Sequence, residues 1–387
     1  MNLQGLSPRI AALQALLNWK KGGDFVQNNL QQTCENLPQN NRALAYEIAL
    51  GTCRVLTELD EKLKTLMREL PKEPSRTILE ISLYQLLHTR IPSYAVVNSA
   101  ANLAKHIGLN EHNVKFINAV LRNAVRKNYV NIESENAKAP AQWIRVNTQK
   151  TSTEELIAKL ELKDPEILFD KFILIPNTRE ILKNPLFKKG FYSFQNPASF
   201  FMASLCEIKD GHKIWDACAA PGGKTAMLAE ENPNAFFVAS DCSEKRTEKI
   251  LDLQNRLNLK NVRIILANVE NPPFSQKFDC VIVDAPCSNM GVASRRPEAL
   301  QTFSKEKISE LSKKQLTILQ YASISVKENG VLIYSVCSQE KEESSEVIEK
   351  FTKTNPAFTQ EESILTDSPN IDKFFIAKLR RTKNCKF

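Results

Sequence analysis

Two segments of this chain place a cysteine just beyond an apolar run: Asp284-Ala-Pro-Cys287-Ser288 and Tyr334-Ser-Val-Cys337-Ser338. A thiolate can form and then break a covalent bond to a substrate, which splits one hard step into easier ones. A third segment, Asp216-Ala-Cys218-Ala219-Ala220-Pro221-Gly222-Gly223-Lys224-Thr225, sets two glycines before a lysine. Gly222 and Gly223 have no Cβ, so their backbone can approach a ligand closely. Asp241 lies 18 residues after Gly223 and completes the set of candidates.

The elements that must position these residues begin near residue 200. Short apolar runs there alternate with amphipathic stretches. The strands expected are Lys213–Asp216, Ala235–Ser240, Arg263–Leu266, Cys280–Asp284, Val331–Tyr334 and Phe374–Leu379. The helices expected are Lys224–Glu231, Glu244–Leu257, Lys305–Val326 and Glu343–Phe351. Such alternation predicts a doubly wound parallel sheet with helices on both faces. Ligands of that architecture bind at the carboxyl ends of the strands. The glycine loop follows the first strand, and both cysteines follow later strands, so all three belong to one edge.

The loop excludes two nucleotide fingerprints. A phosphate-cradling Walker loop needs glycine where Cys218 stands, and G-x-G-x-x-G is absent. S-adenosylmethionine carries no phosphate and needs room for an amino acid and a ribose, which the loop offers. Asp241 ends the second strand, where a doubly wound fold places an acid for ribose hydroxyls. Its alternative role is to cap the following helix. A thiolate at the same edge suits cytosine, whose C5 is a poor nucleophile. Addition of sulfur to C6 makes C5 enamine-like, and Asp284 can hydrogen-bond the N3/N4 edge of the ring. The alternative is that both cysteines are buried spacers, the usual fate of an intracellular thiol.

Residues 1–128 read as helix almost throughout, with apolar spacing over Ile10–Leu17, Leu44–Leu56, Ile78–Leu87, Val96–Ala104 and Phe116–Val125. This third of the chain holds 16 Lys/Arg against 10 Asp/Glu, a balance of +6 within a total of +8. A polyanion such as RNA is the partner that balance suggests; an ordinary solvated basic surface is the alternative. Arg9, Arg42, Arg54, Arg122, Arg126 and Lys127 are the candidate phosphate contacts here. Arg295 and Arg296, just after the Cys287 segment, are candidates for gripping the target strand. Residues 129–139 read as a polar linker and 140–200 as a small α/β module. No C-x-x-C pair exists among nine cysteines, and only four histidines are present, so no metal site is expected. No apolar run approaches a membrane span, and Met1–Ile10 shows no secretory pattern. The expectation is a cytoplasmic monomer.

These segments resemble the RNA cytosine-C5 methyltransferases of the RsmB (Sun/Fmu) type. Cys218–Lys224 is similar to that family's cofactor motif, and the two cysteine segments to its paired signature. Trp143-Ile-Arg-Val-Asn-Thr148 and Phe374-Phe-Ile-Ala-Lys-Leu379 are similar to its opening and closing segments. Arg42-Ala-Leu-Ala, Gly51-Thr-Cys-Arg54, Ala95-Val-Val-Asn98 and Phe116–Arg122 resemble a NusB-like helical domain. The resemblance implies an all-α NusB-like domain at 1–128 and a Rossmann-like methyltransferase domain at 201–387. It implies Cys337 as nucleophile, Cys287 assisting release, and Asp284 on the cytosine and near the cofactor. Residues 218–224, Asp241 and Asn268 would hold S-adenosylmethionine, and 16S rRNA would be the substrate. Rival readings are a tRNA methyltransferase of the same chemistry and a non-catalytic RNA-binding assembly factor. The chain departs from the family at Asn268 (usually Asp), Asn289 (usually Gly), Ser294 (usually Arg) and Val336 (usually Thr).

Overall fold

The computed structural model describes residues 6–130, 140–175 and 178–382. Residues 131–139 of the expected linker, and Cys385, lie outside the described residues. The chain divides into two compact units: Met1–Pro140 with Ala293–Thr302, and Ala141–Val292 with Phe303–Phe387.

The first unit is helical: α1 (Ser7–Lys20), α2 (Val26–Thr33), α3 (Gln39–Arg54), α4 (Leu56–Leu66), α5 (Ser75–His88), α6 (Ser93–His106) and α7 (Glu111–Arg126). Prolines sit at helix starts: Pro8 in the first turn of α1, and Pro38, Pro74 and Pro92 just before α3, α5 and α6. A missing N–H costs nothing there, because the first turn has no intrahelical acceptor for it. Helix α5 is buried from Thr77 through Leu87 and is therefore the centre around which the others pack. It carries Glu80 into the core, where Lys20 Nζ at 2.6 Å and Arg76 Nε at 3.0 Å neutralise the carboxylate. Helix α7 buries Val114, Ile117, Val120, Leu121 and Ala124, one stripe at helical spacing, and leaves its cationic side chains outside.

The second unit opens with β1 (Gln142–Val146), α8 (Thr153–Lys159), β2 (Ile167–Leu168), β3 (Phe172–Ile175), α9 (Thr178–Lys183), α10 (Pro185–Lys188), β4 (Tyr192–Phe194) and α11 (Ala198–Ser204). Its four strands form an antiparallel sheet ordered β2-β3-β1-β4. The main sheet follows: β5 (Lys213–Asp216), α12 (Gly223–Glu231), β6 (Phe236–Asp241), α13 (Glu244–Leu257), β7 (Val262–Leu266), β8 (Phe278–Asp284), α14 (Glu298–Gln301), α15 (Lys305–Ile324), β9 (Val326–Val336), α16 (Ser345–Thr354), β10 (Phe358–Leu365) and β11 (Phe375–Arg381). Helix α14 belongs to the segment that clusters with the helical unit.

The strand order is β10-β11-β9-β8-β5-β6-β7. Strands β9, β8, β5, β6 and β7 are parallel, while β11 pairs antiparallel with both β9 and β10. The sheet is therefore mixed rather than wholly parallel. Strands β10 and β11 are joined by a connection too short for a crossover, so the pair must run antiparallel. Strand β10 has no counterpart among the strands expected from sequence. Only Phe358 is buried and Ile364 half-buried, and Thr359-Gln-Glu-Glu-Ser363 carries no apolar alternation. The central strands show the opposite pattern: β5 buries Ile214, Trp215 and Asp216, and β8 buries Cys280 through Val283. Such strands, covered on both faces, read as continuous apolar runs. Arg145 of β1 forms a buried ion pair with Glu230 of α12 and donates to Gln195 Oε1 at 2.7 Å, joining the small sheet to the main one.

Candidate active site

Asp216, Asp241, Asp284 and Val336 each end a parallel strand, so the chain turns away from the sheet at four adjacent positions along one edge. The order reverses at β5, whose neighbours are β6 on one side and β8 on the other. A doubly wound sheet opens its crevice at such a point. The loop after β5 is held by backbone bonds on both sides: Ala217 N–H donates to Ile282 O and Ala219 N–H to Ser240 O, both at 2.9 Å. Gly222 has φ +101°, in the left-handed region, and starts α12; a Cβ there would lie 3.2 Å from Ile250 Cγ2.

Asp216 is buried at 1% exposure. One carboxylate oxygen accepts from Thr225 Oγ1, and the other has no partner among the described residues. Burial pushes its pKa up to about 7 against the pull of the Thr225 bond. Asp241 is also buried; its Oδ1 accepts the Ser243 N–H at 3.0 Å and its Oδ2 pairs with Arg246 at 3.1 Å. The N-cap of α13 is Ser243, so Asp241 does not cap the helix itself; it stands at the strand end and braces the turn through the Ser243 N–H. Asn268, after β7, is exposed and accepts from the Glu270 N–H at 3.2 Å.

Asp284 is fixed from two sides. Ser335 Oγ donates to its Oδ1 at 2.6 Å, and Lys224 Nζ pairs with its Oδ2. Ser335 and Asp284 are register partners across β9 and β8, which accounts for the first contact. Burial lowers the Lys224 pKa, but the Asp284 carboxylate outweighs it and holds the ammonium above its ordinary value, with the charge of Cys337 adding to the effect. The same ammonium lies 4.7 Å from the centroid of the Phe374 ring.

The Cys287 and Cys337 sulfurs are 2.7 Å apart, and both are free thiols. Asn289 follows the first cysteine with φ +63°. Glycine would be easiest there, and asparagine is among the few other residues that enter that region readily. Its side chain is used: Nδ2 donates to Cys287 O at 3.0 Å, and Oδ1 lies 3.3 Å from Cys337 Sγ. Gly291 N–H donates to Cys337 O at 2.9 Å, tying the two segments by backbone as well. The hydrogen bond to Cys337 and then burial push the Cys287 thiol well up.

Beneath the thiols lies Glu343, fully buried, which accepts from the Ser288 N–H at 2.9 Å, Ser288 Oγ and Gln315 Nε2 at 3.0 Å. Ser288 Oγ in turn lies 3.4 Å from Ser338 Oγ, so one carboxylate braces the residues following both cysteines. Sequence reasoning missed Glu343, Ser335 and Phe374. Ser335 had a signal, since it precedes Cys337 by two residues and strand side chains alternate. Glu343 had none, because it lies in a run of acids that reads as a solvated surface.

The other cysteines stand apart from this pair. Cys34, Cys53, Cys206 and Cys280 are buried in hydrophobic clusters, and Cys242 is exposed. Cys218 is half-buried in the loop, and burial raises its pKa. The candidate RNA contacts separate too. Arg122 and Arg126 are exposed on α7, and Lys127, exposed just beyond its end, donates from Nζ to Thr65 O at 3.0 Å. Arg42 is exposed but spends its guanidinium on the carbonyls of Leu37 and Glu35. Arg9 is buried at 6% exposure and burial lowers its pKa, a position that gives a phosphate no surface to reach. Arg54 is half-buried, with Nε and one terminal nitrogen sealed from solvent. Arg295 and Arg296 are half-buried in the segment that clusters with the helical unit, and Arg296 lies over the Phe25 ring at 4.7 Å. Among the described residues no helix is long and apolar enough to cross a membrane, and no group of His, Cys, Asp or Glu could hold a metal ion.

Residues 203–380 match the 16S rRNA methyltransferase RsmB/F family, and residues 6–126 match the NusB family. The stretch 203–380 belongs to the 16S rRNA methyltransferase RsmB/F family. Among its relatives, the ribosomal RNA small subunit methyltransferase B of Pasteurella multocida (strain Pm70) is 29% identical, over 97% of this chain and 96% of that one. The protein of the same name from Shewanella oneidensis is 29% identical over 98% of this chain and 99% of that one. The crystal structure of PH0851 superposes with a TM-score of 0.78 at 20% identity, over 98% of this chain and 99% of that one. At that identity the likeness speaks for the fold: a NusB-like helical domain followed by a Rossmann-like methyltransferase domain. Both cysteine segments and the glycine loop fall inside the stretch that matches the methyltransferase family.

Proposed function

We propose that this family member methylates C5 of a cytosine in small-subunit ribosomal RNA, with S-adenosylmethionine as donor and Cys337 as the covalent nucleophile. The observation that carries the reading is the pair of free thiols 2.7 Å apart, beside a carboxylate already fixed by Lys224 and Ser335. The names of the relatives supply the substrate class.

The glycine loop fits S-adenosylmethionine on two counts. Its left-handed Gly222 turns the chain sharply from the strand end into α12, and the buried Asp216 oxygen beside it, unpartnered among the described residues, is an acceptor suited to an amino acid's ammonium. Residues 218–224, Asp241 and Asn268 would hold the cofactor. When bound, it supplies the electrophilic methyl that C5 takes up. The chain's own groups do the rest. The Cys337 thiolate adds to C6 as the covalent nucleophile. Asp284 accepts from the N3/N4 edge of a ring that has left its stack. After methylation solvent water takes the C5 proton, the C5–H electron pair restores the C5–C6 double bond, the C6–S bond breaks, and its electron pair returns to Cys337. Cys287, whose thiol stays protonated, is the group beside Cys337 that assists this release.

The test pairs two variants in a labelled-methyl transfer assay on small-subunit RNA. Cys337→Ala abolishes transfer. Cys287→Ala leaves protein trapped on RNA as an adduct that migrates slowly in a denaturing gel. Transfer at the parent rate by Cys337→Ala would overturn the assignment of the nucleophile.

A further inference from the structure

Helices α6 and α7 enclose a groove of about 650 Å³ that belongs wholly to the helical unit. Tyr94, Asn98 and Lys105 face it from α6, and Asn118, Arg122 and Arg126 face it from α7. The spacings follow from the helix: residues three, four, seven and eleven apart return to one face. From Tyr94 to Lys105 the stripe runs about 16 Å at 1.5 Å per residue. Its floor is apolar, built on Val97 and Val114.

Three features set this groove apart from an ordinary solvated surface. Tyr94 is 77% exposed, more than any other large hydrophobic side chain among the described residues. Among the described residues, Lys105, Arg122 and Arg126 have no carboxylate within ion-pair distance; Lys115 at the rim pairs only with Glu111 of its own helix. Among the described residues no Asp or Glu lines the groove. A cationic channel with an exposed ring and two amides has a definite complement. Phosphates neutralise the cations, an unpaired base stacks on the ring, and base edges meet the carboxamides.

We propose that the α6–α7 groove is a single-strand RNA site, in which Tyr94 stacks a base and Lys105, Arg122 and Arg126 hold the flanking phosphates. The proposal rests on the reading that the substrate is RNA, and it adds a location, a stacking residue and a preference for unpaired strands. Duplex RNA keeps its base faces covered, so it can use the cations but not Tyr94.

The experiment measures binding of the full chain to a fluorescein-labelled 12-nucleotide RNA by anisotropy, with the same strand annealed to its complement as the second probe. Tyr94→Ala weakens single-strand binding about tenfold and leaves duplex binding nearly unchanged. The double variant Arg122→Glu/Arg126→Glu weakens both by more than tenfold. A charge-matched double variant away from the groove, Lys21→Glu/Lys64→Glu, weakens binding far less; circular dichroism melts establish that each variant is folded. Equal losses from the two double variants would overturn the site. So would displacement of the RNA by a poly-glutamate peptide at matched charge with no effect of Tyr94→Ala, since that outcome marks a groove for acidic protein. Methyl transfer is measured in parallel on the parent chain. If the parent transfers methyl while the groove variants bind normally, the groove fails and the function stands. If the variants lose binding while the parent transfers methyl to no RNA, the groove stands and the function fails.

Discussion

The strand-end cleft and the α6–α7 groove both collect charged side chains, but they hold them differently. In the cleft nearly every charge has a fixed partner: Lys224 with Asp284, Asp241 with Arg246, and Arg145 with Glu230 a little further off. In the groove Lys105, Arg122 and Arg126 are exposed and have no carboxylate among the described residues. Chemistry at one carbon needs groups held still, because a small misplacement costs rate. Holding a flexible polyanion needs only charge of one sign, delivered by side chains that adapt to the strand. The rigid pairs and the free cations are matched to those two tasks.

Breaking the most buried of the fixed pairs is the strongest trial of that contrast. Glu230→Ala strands the Arg145 guanidinium in the interior and is expected to lower unfolding free energy by about 3–5 kcal/mol, read by chemical denaturation. Arg122→Ala, in the groove, should change stability by less than about 0.5 kcal/mol. Similar losses from both would erase the distinction.

Lys224→Met tests whether a fixed charge in the cleft serves the reaction. It frees Asp284 and removes the cation beside Cys337, so kcat/KM for methyl transfer should fall about 100-fold, or about 2.7 kcal/mol. The loss should appear in kcat at saturating RNA, since Lys224 holds Asp284 for the chemical step rather than for binding. An unchanged kcat would assign Lys224 a structural role alone.

Asp216 is the exception in the cleft, a buried carboxylate with one oxygen unpaired among the described residues. Its folded pKa of about 7 lies above the ordinary 3.8. Below the ordinary value the group is neutral in both states and costs nothing. As pH rises through about 7 the folded protein must carry a buried charge, so stability is lost over that interval. Asp216→Asn should flatten the loss and raise stability at pH 8 by about 1–2 kcal/mol, seen in thermal melts from pH 4 to 8. An unchanged slope would show that another group titrates there.

The smallest effect belongs to the groove. Lys105→Ala should reduce the slope of log affinity for single-stranded RNA against log salt by about 1, with only a few-fold weaker binding at low salt. An unaltered slope removes Lys105 from the set of phosphate contacts.

Much of this molecule was legible in its residues. The central strands of the main sheet announced themselves because both faces are buried, and the resulting Val/Ile-rich runs end at the glycine loop and at the two cysteines. Helix α7 was legible from its apolar stripe. Strand β10 was not, since it is a solvated edge whose sequence carries no alternation. Glu343 was not, because a buried carboxylate and a surface one are the same letter. Arg9 read as a basic surface residue and lies inside. The linear chain therefore determined which elements form and which residues end them, through periodicity, proline placement and the special freedom of glycine. Only the tertiary structure decided that Cys287 and Cys337, 50 residues apart in sequence, meet at 2.7 Å. It alone decided that Ser335 and Lys224 close on Asp284, and that Tyr94 stands open among cations that no acid among the described residues neutralises. Periodicity acts over a few residues, whereas partners and burial are set by strand order and helix packing across the whole unit.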